Sequence, residues 1–223
     1  YCGNGKLTSL DLSNNPALYI VYCDYNELES LTLAGNTELS WLHCNNNQLK
    51  SIDFSDSINL TELKCENNQL TMIDISKNPA LTSFSCGNNQ LTSLDISNNE
   101  ALLEDYLSVY GNSYTINVSK TSRSFNLSLL PGNFDVNKAS NWKGGTVNGS
   151  ILTVDDDADT VTYTYDCGRD KTATFALKCE FAAVKEVTLV YNANGGTQEP
   201  EQISAEAGSS ITLSNEIPVQ EGY

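Results

Sequence analysis

The chain has 223 residues, enough for about two or three small domains, and its 28 acidic residues against 12 basic ones give a formal charge of −16. A surface that negative, with no basic cluster to offset it, repels phosphate backbones and excludes nucleic acid as an expected partner. No apolar run nears the ~20 residues of a membrane span, no secretory signal is present, and no cofactor is implied.

The first half of the chain is periodic. Cys2, Cys23, Cys44, Cys65 and Cys86 recur every 21 residues. Asn26, Asn47, Asn68 and Asn89 follow the last four, with Gly5 at the first, and then come Leu7, Leu28, Leu49, Leu70 and Leu91. Leu10, Leu31, Ile52, Ile73 and Leu94 keep the same phase, as do Leu12, Leu33, Phe54, Ile75 and Ile96, and so do Leu18, Leu39, Leu60, Leu81 and Leu102. A fixed period near 20 with this many matched positions predicts a solenoid, in which each coil buries its apolar side only by stacking on its neighbours.

From Leu39 one unit reads LxxLxCxxNxLxxIxFxxSxx. It resembles the leucine-rich repeat family, whose LxxLxLxxNxL core recurs with Cys in the third apolar slot. The resemblance covers residues 1 to about 113. It implies a curved solenoid with one parallel strand per coil on the concave side, carried by the xxLxCxx segment. The chain opens mid-coil at Tyr1 rather than at a methionine, so targeting signals and an N-terminal cap are expected to lie upstream.

Leu and Cys at i and i+2 of such a strand point into the coil, and each Asn can turn the chain while bonding backbone groups within the bend. The lone histidine, His43, is adjacent to Cys44, so the two side chains face opposite ways and cannot form a catalytic dyad. The thiols form a line with rungs ~4.8 Å apart, whereas zinc needs four ligands around one point. Free, buried cysteines acting as packing groups are therefore expected, with no metal and no disulfide between rungs.

The outward positions are Ile20, Tyr22 and Asp24; Trp41, His43 and Asn45; Glu62, Lys64 and Glu66; Ser83, Ser85 and Gly87. After Leu102 the register breaks at Asp105. A two-residue shift restores Leu107, Val109 and Asn112, and turns Tyr106, Ser108 and Tyr110 outward. Tyr22, Trp41 and His43 thus form one exposed cluster, with Glu62 and Lys64 as its rim, and Tyr106 and Tyr110 form another. Such clusters suit ligand recognition, because aromatics combine apolar area with a polar handle. Cross-strand stacking, or a cover from a flanking segment, are the alternatives. Asp11, Asp53, Asp74 and Asp95 form a column on the other side. "LDLSNN" predicts that they bond backbone donors in turns, with calcium as the alternative.

Between 114 and 184 the pattern becomes alternation broken by turn residues, as in "TVTYTYDCG" and "TATFALKCEF", which predicts an antiparallel β-sandwich. Cys167 and Cys179 are expected inward and unpaired, and "DDDAD" (155–159) reads as a solvated turn rather than a calcium loop. The texture resembles the immunoglobulin-like domains that follow leucine-rich repeats in internalin-type bacterial surface proteins. Residues 185–223 resemble the start of the Listeria–Bacteroides (internalin B) repeat through Tyr191, Asn192, Gly195, Gly196, Thr197, the Ile211-Thr212-Leu213 strand, Pro218 and Gly222-Tyr223. The expected division is 1–113, 114–184 and 185–223, with the sandwich docked on the last coil through Leu107, Val109 and Ile116.

No motif joins a nucleophile to a base and no carboxylate pair converges, so an enzyme is not expected. The resemblance implies an extracellular, cell-surface recognition or adhesion module that binds a protein or glycan ligand, host-derived ones included. The alternative is a structural stalk presenting other domains from the cell wall.

Overall fold

A computed structural model describes residues 1–182, together with the backbone of 186–189 and 203–206. Among the described residues the secondary structure is β with three short 3-10 turns, and no helix is long and apolar enough to cross a membrane. The first half is a solenoid of about five coils: a partial coil 1 (residues 1–17), then coils 2 to 5 beginning at Leu18, Leu39, Leu60 and Leu81.

Strands β1 (Ser9–Asp11) and β3 (Ser30–Thr32) pair in parallel on one side of the coils. On the other side β2 (Ile20–Tyr22), β4 (Trp41–His43), β5 (Glu62–Lys64), β6 (Ser83–Ser85) and β7 (Leu107–Ser108) form a five-stranded parallel sheet. The 21-residue period sets its register, so that Val21, Leu42, Leu63 and Phe84 stack inward. Phe84 pairs with Leu107 across the two-residue offset, which a 3-10 turn at Glu104–Tyr106 absorbs.

Cys23, Cys44, Cys65 and Cys86 are fully buried and free. Each of the first three also aims its thiol at a backbone carbonyl of the next coil, at 3.4 to 3.5 Å. Burial pushes the Cys23 thiol up to about 12 and that of Cys44 well above its ordinary range, so thiolate chemistry is suppressed.

Asn26, Asn47, Asn68 and Asn89 tie the coils together. Asn68 Nδ2 donates to the carbonyls of Cys44, Cys65 and Glu66, while its Oδ1 accepts from Leu49 N–H at 3.0 Å. Asn112 continues the ladder past the offset. The turn beside each ladder position lies in the left-handed region, at Asn4, Tyr25, Asn46, Asn67 and Asn88 (φ 54 to 59°), and Asn tolerates that conformation best among side-chain-bearing residues. A second buried column, Asn36, Ser57, Asn78 and Asn99, bonds carbonyls at the opposite corner of each coil.

Beyond the coils lie two further sheets. One orders β10 (Ala139–Lys143), β13 (Thr160–Gly168), β14 (Lys171–Ala182) and β8 (Ser113–Ser119); the other orders β11 (Gly145–Asn148), β12 (Ile151–Val154) and β9 (Ser124–Asn126). The expectation of a purely antiparallel arrangement is corrected here, because β8 pairs with β14 in parallel. The long β13–β14 hairpin fixes its own register and leaves one edge of β14 open, and β8 takes that edge in the direction in which it leaves the last coil. Val161, Tyr163, Tyr165 and Cys167 face inward as expected; Cys179 is half-buried and unpaired.

The sheets meet the solenoid mainly at coil 5. Tyr163 Oη donates to Thr92 O (2.6 Å), Ile96 N–H donates to Cys167 O (2.9 Å), and Arg169 reaches the carbonyls of Asn99, Glu100 and Leu102. These polar contacts add to the apolar ones expected. Ile116 is buried and Leu107 and Val109 half-buried in one continuous apolar core, but the polar latch comes from the β13–β14 hairpin. The motif expected over 185–223 rests on positions outside the described residues, apart from an antiparallel pair formed by β15 (Glu186–Leu189) and β16 (Ile203–Glu206).

Candidate functional site

The outward face of the five-stranded sheet carries two columns of side chains. Ile20, Trp41, Glu62 and Ser83 are neighbours in one; Tyr22, His43, Lys64, Ser85 and Ser108 in the other. Across coils 2 to 5 the chemistry grades from aromatic through charged to small hydroxyl. Trp41 is exposed at 38% although a sheet surrounds it.

Tyr22 and His43 stack, with ring centroids 4.3 Å apart and planes inclined by 24°. His43 Nε2 lies 2.8 Å from Glu62 Oε1, and Lys64 Nζ donates to the same oxygen at 2.6 Å. A carboxylate only accepts, so Nε2 carries the proton in this arrangement. Burial acts to raise the Glu62 pKa, but the hydrogen bonds from Lys64 and His43 outweigh it and the net shift is downward. Glu62 is therefore an ionised hinge between an imidazole and an ammonium, and the cluster is held in one geometry before any ligand arrives. Preorganisation of this kind lowers the ordering cost of binding.

The sequence missed one member. Tyr1 meets Tyr22 edge-on at 4.9 Å and extends the aromatic column; it precedes Cys2 as Tyr22 precedes Cys23, so the period itself marks it. Three other outward residues have a different task. Asp24 Oδ1 accepts from Asn45 N–H, and Asn45 Oδ1 accepts from Glu66 N–H, so two of these side chains stitch the coils together. Tyr106 and Tyr110 are both exposed, but they do not share a strand: Tyr106 ends the 3-10 turn and Tyr110 follows β7. A Cβ added to Gly87 would lie 2.9 Å from Tyr110 O and 3.2 Å from its ring, so the missing side chain makes room first for the Tyr110 backbone and then for the ring.

The aspartate column behaves as turn chemistry predicts. Asp11, Asp53, Asp74 and Asp95 each accept the N–H two residues on, from Ser13, Ser55, Ser76 and Ser97, at 2.9 Å. Among the described residues no three metal-ligating side chains converge on one point.

No family model matches the chain, and no curated protein matches it. Among solved structures it is similar to the functional domain of InlJ from Listeria monocytogenes, described as including a cysteine ladder. The match has 21% identity and a TM-score of 0.39, and covers 80% of this chain. The chain spans 61% of that structure's length.

Proposed function

We propose that residues 1–113 are the recognition module of an extracellular bacterial surface protein, and that the outward face of the long sheet binds a protein or glycan ligand. In this reading 114–184 is an immunoglobulin-like sandwich and 185–223 the start of a Listeria–Bacteroides repeat. The observation that carries it is Trp41, exposed beside a Tyr22–His43 stack whose polar edge Glu62 and Lys64 already fix. Trp and Tyr are frequent anchors of binding energy. A spacer would need only small polar side chains on that face. Tyr106 and Tyr110 form the outer reach of the same proposed surface.

The test is a binding screen of the chain against host matrix proteins, mucin glycans and bacterial envelope fractions, followed by substitution. Trp41→Ala is expected to leave stability within about 1 kcal/mol, as surface changes usually do, yet to cost the complex about 2 kcal/mol or more. Unchanged binding by a Trp41→Ala, His43→Ala double variant would remove this face from consideration.

A further inference from the structure

On the side of the coils opposite the long sheet, the parallel ladder stops after β3. Residues 51–54, 72–75 and 93–96 occupy the equivalent places in coils 3 to 5 but form no strands. β3 consequently has an edge without a strand neighbour, and a cleft of about 300 Å³ opens between it and coil 3, walled by residues 29–34 and 51–56.

The molecule itself shows what such a gap takes. Between coils 4 and 5, two coils further on, residues 131–138 of the following part wall the gap and leave a cavity of about 360 Å³ beneath them. Ser93 Oγ donates to Gly132 O at 2.7 Å, and Thr92 Oγ1 donates to Pro131 O at 2.7 Å. A Cβ added to Gly132 would lie 3.1 Å from Ser93 Oγ, 3.6 Å from Thr71 O and 3.7 Å from Met72 Cβ, so this backbone touches both coils, and its φ of 77° is one that glycine adopts without strain. Lys138 then places Nζ 3.7 Å from Asp95 Oδ2.

The repeat reproduces these groups in the other gap. Ser51 and Asp53 stand two periods before Ser93 and Asp95. The hydroxyl of Thr92 has no counterpart there, since Lys50 stands at its place and does not line the cleft. Among the described residues no segment from elsewhere in the chain walls the coil 2–coil 3 cleft. Its rim carries Glu29, Asp53 and Asp56 without a basic residue. Asp56 Oδ2 accepts from Gly35 N–H across the gap and closes one end, while Asp53 is held ionised by the Ser55 N–H and hydroxyl.

We infer that this cleft binds a short segment of a partner protein that turns as residues 131–138 do, with a left-handed glycine against Ser51 and a lysine or arginine further on to pair with Asp53. The site lies away from Trp41 and stands or falls independently of the reading of the long sheet.

The probe is a synthetic nonapeptide with the sequence of residues 130–138, titrated into the full, isotopically labelled chain and followed by backbone amide shifts. The expected result is saturable shifts at Ser30–Thr32 and 51–56, with affinity lowered about tenfold in Asp53→Lys, or by a Lys-to-Glu change in the peptide, as for loss of a charge pair. Ser51→Trp, which fills the cleft without altering charge, is expected to abolish the shifts while the rest of the spectrum stays native. Absence of shifts at millimolar peptide would overturn the proposal. So would shifts confined to 71–76 and 92–98, or affinity indifferent to both cleft substitutions. A concentration-dependent dimer in light scattering that Ser51→Trp abolishes would replace it with self-association.

Discussion

At the scale of single residues, Asn68 illustrates how the solenoid is held together. One buried amide serves three carbonyls and one N–H, drawn from its own coil and the one before. No apolar or smaller side chain can do this. Leaving a buried donor or acceptor without a partner costs about 1–3 kcal/mol each. Asn68→Ala is therefore expected to destabilise by about 3 kcal/mol or more, read from the urea midpoint and slope; a loss below about 1 kcal/mol would mean that the ladder is ornamental. The buried thiols work alongside it. Their S–H groups point at carbonyls of the next coil, so cysteine fills volume as a small hydrophobe and adds a weak donor that leucine lacks. The sequence showed where these residues sit. It did not show the thiol–carbonyl aim, because side-chain rotamers leave no trace in spacing.

At the scale of elements, each coil except the second, which has Thr32 there, turns at an aspartate whose carboxylate accepts the N–H two residues on. Hydrogen bonds from Ser55, Ser76 and Ser97 hold Asp53, Asp74 and Asp95 below the ordinary carboxylate pKa. A pKa depressed in the folded state contributes stability that is present above the unfolded value, near 4, and lost as pH falls through the folded one. The net charge of −16 acts the other way, since protonation relieves repulsion. The two effects separate in a difference: between pH 5 and 2.5 the urea midpoint of the native chain is expected to fall further than that of Asp74→Asn. Parallel curves would show that the turn carboxylates carry no linkage. These turns and the long sheet were legible because both repeat with the period. The end of the ladder after β3 was not, since Ser51-Ile52-Asp53 has the same pattern as Ser9-Leu10-Asp11. Nor was the parallel pairing of β8 with β14 legible, because alternation marks a strand without giving its direction. Asp24 and Asn45 read as free surface for a related reason: period 2 says that a side chain points outward, not that it returns to the backbone.

At the scale of the whole molecule, the solenoid and the sheets beyond it share one apolar core, and the latch between them is polar and specific. Tyr163 is central to it. Its ring is buried against Trp142, Phe134 and Phe175, while its hydroxyl donates to Thr92 O in coil 5. Arg169, held in the left-handed region at the hairpin tip (φ 55°), caps carbonyls at the end of the same coil. The chain's two tryptophans make the coupling measurable, since Trp41 lies on the solenoid and Trp142 on β10. Trp142→Phe leaves a reporter for the coils, and Trp41→Phe one for the sheets. With the latch intact, both reporters are expected to unfold at the same urea concentration. Adding Tyr163→Phe and Arg169→Ala removes the donors to Thr92 O, Glu100 O and Leu102 O, at about 1–3 kcal/mol each where burial excludes water, while Asn99 O keeps Leu102 N–H. The two transitions are then expected to part, the sheets melting first because they lack the repeated Asn ladder. Separate transitions in the chain with its latch intact would show that the shared core does not couple the two parts.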